Sequence, residues 1–230
     1  SLKATRFEVP VAMADDEKTL AGVRLTTPKA AAIAGVVFSL LLIIAFAMIR
    51  SALPADPMES GAWLSGSSRR VTVALSLVPF AGIAFLWFLG VLRARVKQLE
   101  DRFFATIFLG SGLLFLALLF SAAAIVGALI LSFGTPSDAA GDWTTFHFGR
   151  AAAYILMNVY AMKMAAVFMI TTSTVILYTA ISPRWTSIVG FLLAPVLLLG
   201  SFFPWSLLAL PIWVLLVSAS ILAEEFHRAG

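Results

Sequence analysis

Hydrophobic and polar positions follow one another along this chain in long blocks. A membrane-spanning helix needs about 20 mostly apolar residues, and six blocks meet that requirement. The predicted spans cover 30–53, 71–92, 103–133, 150–182, 185–201 and 205–223. The pattern therefore predicts an all-α fold, a polytopic bundle of six transmembrane helices. It occupies 30–223, between an N-terminal tail over 1–29 and a C-terminal tail over 224–230.

Local sequence signals support the start of the first helix, and the lengths of two blocks indicate how their helices lie in the membrane. Thr27 suits a helix N-cap and Pro28 the first helical position, where a missing N–H costs nothing. The third and fourth blocks are each about ten residues longer than a bilayer requires, so we expect those helices to tilt or project.

Composition supports a membrane solvent. Of the 230 residues, 61% are hydrophobic and 12% charged, about half of the roughly 25% charge usual in soluble domains. The chain contains no cysteine, which excludes disulfides, thiolate metal sites and cysteine nucleophiles.

The distribution of Lys and Arg predicts orientation, because these residues are retained on the cytoplasmic side of a membrane. Eleven of the 16 fall in the segments on one side, four on the other, and one inside a span. Both termini are therefore expected to be cytoplasmic. The inner side includes a basic loop with Arg93, Arg95, Lys97 and Arg102, interpreted as an orientation signal that contacts anionic lipid or as a docking surface for a cytoplasmic partner. Because the basic residues lie beside apolar runs, no nucleic-acid partner is expected.

Lys163 is the one charged residue well inside an apolar run. If the fourth span is centred near Val167, Lys163 is about 6 Å from the midplane; if the buried core is 161–180, it lies near the outer boundary. Tyr160 and Thr174 share its helical stripe. Three interpretations stay open: snorkelling or bonding to carbonyls, lining a ligand or ion pathway with Tyr160 and Thr174, and, least favoured, catalysis.

Small residues in the third span predict a helix-packing face. Ala117, Ser121, Ala124 and Ala128 recur at intervals of four, three and four, and such spacing lets two helices approach closely. The partner helix is either another span of the same chain, which we favour, or one from a second protomer.

The sequence contains no recognisable set of residues that would bind a cofactor or a metal ion. The two histidines, His147 and His227, fall on opposite predicted sides of the membrane, which disfavours bis-histidine haem and multi-histidine metal centres. The predicted spans contain no Asp or Glu, and no phosphate-binding or hydrolase motif is present. We therefore expect no cofactor, no metal and no catalytic residue.

The stretch WFLGVLRARV, followed by DRFFATIFLGSGLLF, resembles segments of small bacterial membrane proteins. The resemblance implies no particular activity. We expect the protein to lie in the bacterial cytoplasmic (inner) membrane. The first functional hypothesis is a non-enzymatic subunit or scaffold of a larger membrane assembly, with lipids and other membrane chains or copies of itself as partners. The alternative is a small-solute or ion transporter or channel with Lys163 in its pathway. An enzyme acting on lipid ranks third, because no nucleophile–base pair is visible.

Overall fold

The computed structural model describes residues 28–53, 56, 63–96, 102–134, 143–179, 181–200 and 204–229. Every regular element within these ranges is helical, so the predicted all-α helix bundle is confirmed. Most of the predicted N-terminal tail, and Lys97 of the basic loop, lie outside the described residues.

Within the described ranges, seven α-helices follow one another. They are α1 (Pro28–Ala52), α2 (Trp63–Val96), α3 (Arg102–Phe133), α4 (Trp143–Ile155), α5 (Met162–Thr179), α6 (Arg184–Leu199) and α7 (Ala209–Ala229). A π-helical turn, Leu156–Ala161, joins α4 to α5, and a 3₁₀ turn, Pro204–Leu208, precedes α7. We call the continuous segment Trp143–Thr179 the α4–α5 rod.

Among the residues that the structure describes, five helical segments are long and apolar enough to cross a membrane: Lys29–Ala52, Gly66–Arg93, Phe103–Phe133, Trp143–Thr179 and Trp205–Glu224. α6, the fifth predicted span, is a shorter apolar helix of 16 residues. These lengths and compositions support a multi-pass membrane protein.

Two helices begin earlier in the structure than the apolar blocks alone indicate. α2 starts at Trp63 rather than at 71, and the α4–α5 rod starts at Trp143 rather than at Arg150. In both cases an aromatic residue in the added turn is buried, Trp63 and Phe146 respectively. Packing of these rings extends each helix through residues too polar to be part of an apolar block.

The helical rods form a ring in chain order. α1 packs on α2, α2 on α3, α3 on the α4–α5 rod, α5 on α6 and α6 on α7, while α7 closes the ring against α1. We call the end of the bundle that carries Ala52, Trp63, Phe133 and Trp143 the distal end. It is the outer end in the predicted orientation.

A cluster of phenylalanine side chains fills the main core. Phe85 is fully buried and lies 4.7 Å from Phe38, 5.2 Å from Phe168 and 5.6 Å from Phe115, ring centroid to centroid. Phe168 also lies 5.3 Å from Phe108. These spacings fall within the range of favourable aromatic pairs, so the rings join α1, α2, α3 and α5 into one packed unit.

A second, smaller hydrophobic cluster lies at the distal end. Its buried members are Ala52, Trp63, Leu64, Val71, Leu129 and Phe146. Phe146 lies 6.5 Å from Trp63 and 5.4 Å from Phe133, centroid to centroid. We call this group the distal cluster; it ties the start of α2 to the start of α4.

The α6–α7 hairpin is much shorter than the rod beside it. At 1.5 Å per residue, the 16 residues of α6 extend about 24 Å, whereas the 37 residues of Trp143–Thr179 extend about 55 Å. The Ser206 hydroxyl near the tip of the hairpin lies 3.8 Å from the Met162 sulfur, close to the middle of the rod. The hairpin therefore does not reach the distal end.

Candidate functional site: the distal cavity

A cavity of about 150 Å³ lies between the main core and the distal cluster. Phe46, Val78 and Leu119 of the main core contribute to its wall, as do Trp63 and Leu129 of the distal cluster. Its lining comes from α1, α2, α3, the α4–α5 rod and the 3₁₀ turn. We call it the distal cavity. A void of this size holds an apolar group about as large as a benzene ring.

Arg150 is the buried charge of this cavity. Its side chain is only 6% exposed, although the residue stands within the first turns of the α4–α5 rod. The guanidinium donates a hydrogen bond to the Asp56 carbonyl at 3.2 Å and lies 5.9 Å from the Trp63 ring centroid. Cation–π contacts of this kind are worth about 0.5 to 2 kcal/mol, more when desolvated. Arg150 therefore links α4 to the chain beyond α1 and to the start of α2.

Arg50, in the last turn of α1, also lines the distal cavity and is half-buried. Among the residues that the structure describes, it makes no hydrogen bond or ion pair. The described lining contains no carboxylate, so Arg50 and Arg150 make its net charge positive.

Trp63 is a buried aromatic residue in the wall of the same cavity. The residue is 7% exposed, and its indole N–H finds no acceptor within the described part of the chain. The indole nitrogen is itself inaccessible, so Trp63 contributes to the cavity through its apolar ring surface and its contact with Arg150.

The π-helical turn shapes the wall formed by the rod. Met157 and Asn158 lie within this turn and line the cavity together with Tyr154 from the preceding turn. The Asn158 side-chain amide donates to the Tyr154 carbonyl at 3.0 Å. Such turns are rare and frequently occur at functional sites. Here the π turn places the Asn158 amide beside Tyr154 on the wall that also carries Arg150.

One side of the cavity lacks a full-length helix. No residue of α6 contributes to the described lining, while Trp205, Leu207 and Leu208 from the 3₁₀ turn do. Tyr154 is 37% exposed and Trp205 is 66% exposed, although both line the cavity. These two aromatic residues therefore lie at its rim, where the short hairpin leaves the distal half of the bundle open sideways.

Lys163 and the residues predicted to accompany it lie elsewhere. Lys163 is half-buried, and its Nζ lies 3.5 Å from the Val159 carbonyl in the same rod. Tyr160 is 55% exposed, and the Thr174 hydroxyl donates to the Ile170 carbonyl at 3.0 Å. None of the three predicted pathway residues lines the distal cavity. A pathway through Lys163, Tyr160 and Thr174 stays a prediction.

The small-residue face of α3 points outward. Ala117, Ser121, Ala124 and Ala128 are all exposed, and Ser121 returns its hydroxyl to the Ala117 carbonyl at 2.8 Å. Our preference for an intrachain partner is therefore not what the described structure shows, because these positions face away from the bundle. Packing against a second protomer stays a prediction.

The basic loop and the two histidines add little to the site. Arg93 is exposed at the end of α2, whereas Lys97 and the side chains of Arg95 and Arg102 lie outside the described residues. His147 packs beside Trp143 and Phe146, at centroid distances of 6.4 and 5.6 Å. Within the described ranges, no three His, Asp or Glu side chains come together.

Sequence reasoning missed Arg50 and Arg150, which it counted only as orientation signals. One signal was available for Arg150: Phe146, Arg150 and Ala153, at intervals of four and three, form the buried face of α4. That spacing is the helical period of a packed face. It places the arginine on the inner side of a helix that begins before the apolar block.

The fold and the cavity together define a multi-pass helix bundle with a positively charged, mostly apolar cavity at one end. No family model, curated protein or solved structure matches the chain.

Proposed function

We propose that the protein is a non-enzymatic component of the bacterial inner membrane whose distal cavity binds an amphiphilic ligand. The single observation that carries this proposal is the cavity itself, with an apolar wall, two arginines and an open side. Ligand pockets typically combine such a wall with a few polar groups that fix orientation.

One feature of the cavity supports binding over simple imperfect packing. Buried charges are costly and, in membrane proteins, usually mark functional sites, and Arg150 is held within the wall.

A matched pair of variants on α3 tests the proposal. Ala123 lines the cavity, and Ala117 lies outward on the same helix. We expect Ala123→Leu to fill the cavity and to remove lipid that copurifies with the protein, as measured by mass spectrometry of gently extracted particles after detergent exchange. Ala117→Leu should retain that lipid. Equal retention by both variants, or no retained lipid in the parent protein, would contradict the proposal.

The outward small-residue face of α3 supports a second candidate function, that of a subunit or scaffold in a larger membrane assembly. Ala117, Ser121, Ala124 and Ala128 leave room for a helix of another chain or of a second copy to approach closely. Replacing Ala124 by Phe should then dissociate the particle, as measured by its mass in native lipid, whereas Phe at the inward-lining Ala123 should not. A particle of unchanged mass would argue against this role.

The transporter or channel hypothesis has no comparable support from the geometry. Its distinguishing prediction concerns Lys163, because a pathway residue should control solute flux into vesicles. Flux that survives Lys163→Met would remove Lys163 from any pathway.

A further inference from the structure

Resting on the function proposed above, we propose that the amphiphile is anionic and enters sideways from the adjoining lipid leaflet. Its phosphate or carboxylate head lies against Arg50 and Arg150, and its apolar chain leaves the cavity between Tyr154 and Trp205.

Charge is the main argument. The described lining carries two guanidinium groups and no carboxylate, and Arg50 is without an ion pair in the described residues. Planar guanidinium groups bind carboxylate and phosphate oxygens with paired hydrogen bonds. An anionic head would therefore give the half-buried Arg50 guanidinium an ion-pair partner.

The size of the cavity and its open side indicate which part of the ligand lies inside it. A volume of about 150 Å³ is too small for a whole lipid, because drug-sized ligands already occupy pockets of roughly 300 to 1,000 Å³. The cavity therefore holds the head and the beginning of a chain. The rest of the chain extends past the exposed rings of Tyr154 and Trp205, over the α6–α7 hairpin, which ends near Met162.

The test measures binding of chain-labelled lipids to delipidated protein in a neutral detergent. Labelled dioleoylphosphatidylglycerol is compared with dioleoylphosphatidylcholine by fluorescence polarisation, with oleate and inorganic phosphate as unlabelled competitors. We expect the anionic lipid to bind at least tenfold more tightly, oleate to compete with it, and inorganic phosphate alone not to compete. Raising the salt concentration should weaken binding of the anionic lipid, a readout that requires no variant.

Arg50→Gln should weaken binding of the anionic lipid more than binding of the zwitterionic lipid and so reduce the tenfold preference, while Arg150 retains part of it. Arg69→Gln is the matched control, since Arg69 is exposed on α2 near the same end and does not line the cavity. Equal binding of the two lipids by the parent protein would overturn the anionic assignment while leaving amphiphile binding intact. Absence of binding by either lipid would overturn both proposals. Competition by inorganic phosphate at similar concentration would overturn the role of the chain.

Discussion

The main core and the distal cavity lie inside the same ring of helices, but only the main core is closely packed. In the main core, the Phe85 ring lies 4.7 Å from Phe38 and 5.2 Å from Phe168, centroid to centroid, and all three side chains are inaccessible to solvent. At the distal cavity, the walls carry arginines and leave a void. Because lipid chains are as apolar as a protein core, packing rather than water exclusion holds membrane helices together. We infer that the main core supplies most of the bundle's stability and that the distal half is available for ligand.

The largest effect is expected from Phe85→Ala. Removing the ring at the centre of the aromatic contacts leaves a void among α1, α2, α3 and α5. The free energy of unfolding should fall by about 3 kcal/mol, the lower end of the range for buried phenylalanine. Unfolding in mixed detergent measures this change. Phe80→Ala, on the lipid-facing side of α2 at 63% exposure, is the control and should cost much less. Equal losses would remove the distinction between core and surface.

A smaller loss is expected from Gly190→Ala, which tests how closely α6 packs. A Cβ at this position would meet the Ser173 hydroxyl and would lie 2.8 Å from the Trp213 Nε1. That indole donates to the Thr186 carbonyl at 2.9 Å, so movement of the ring would disturb a buried hydrogen bond. We expect a loss of about 1 to 3 kcal/mol in the same unfolding assay.

Gly110→Ala is the matched control for Gly190→Ala, because a Cβ at that position meets no described atom within 4 Å beyond its chain neighbours and the backbone of its own helix. Alanine favours the helix over glycine by about 1 kcal/mol, so this variant should be neutral or stabilised. A stabilised Gly190→Ala protein would show that α6 packs less closely than described.

A larger side chain in the distal cavity should lower the free energy of unfolding far less than a larger side chain in the core. Ala123→Leu adds more volume than Gly190→Ala, yet Ala123 borders a void. We therefore expect the free energy of unfolding to change by less than about 1 kcal/mol. A loss comparable with that of Gly190→Ala would mean that the cavity cannot accept a group of this size, and would weaken the proposed ligand site as well.

The smallest effect is expected at Lys163. Its ammonium group lies near a carbonyl of its own rod and outside the cavity lining. Lys163→Met should therefore change the unfolding free energy by less than about 1 kcal/mol and leave lipid retention intact. Loss of retained lipid in this variant would extend the site beyond the distal cavity.

More of the fold than of the candidate site could be predicted from the sequence. Long apolar blocks identify helices because lipid leaves no other partner for backbone polar groups, which is why α1 and α3 lie close to their predicted bounds. Trp63 and Phe146 extend α2 and α4 through polar residues by tertiary packing, which no local pattern records. Arg150 resembled an orientation signal because sequence position alone does not distinguish a loop arginine from one that faces inward.

The π turn has a consequence for the geometry of the rod. A turn with five-residue rather than four-residue hydrogen bonding holds one more residue than an α-helical turn, so each residue of Leu156–Ala161 accounts for less rotation than the roughly 100° of an α-helix. The extra residue is therefore absorbed within the turn. Deleting one residue from this segment would restore an α-helical turn and leave the wall bearing Tyr154 and the inward face of α5 in the same angular phase.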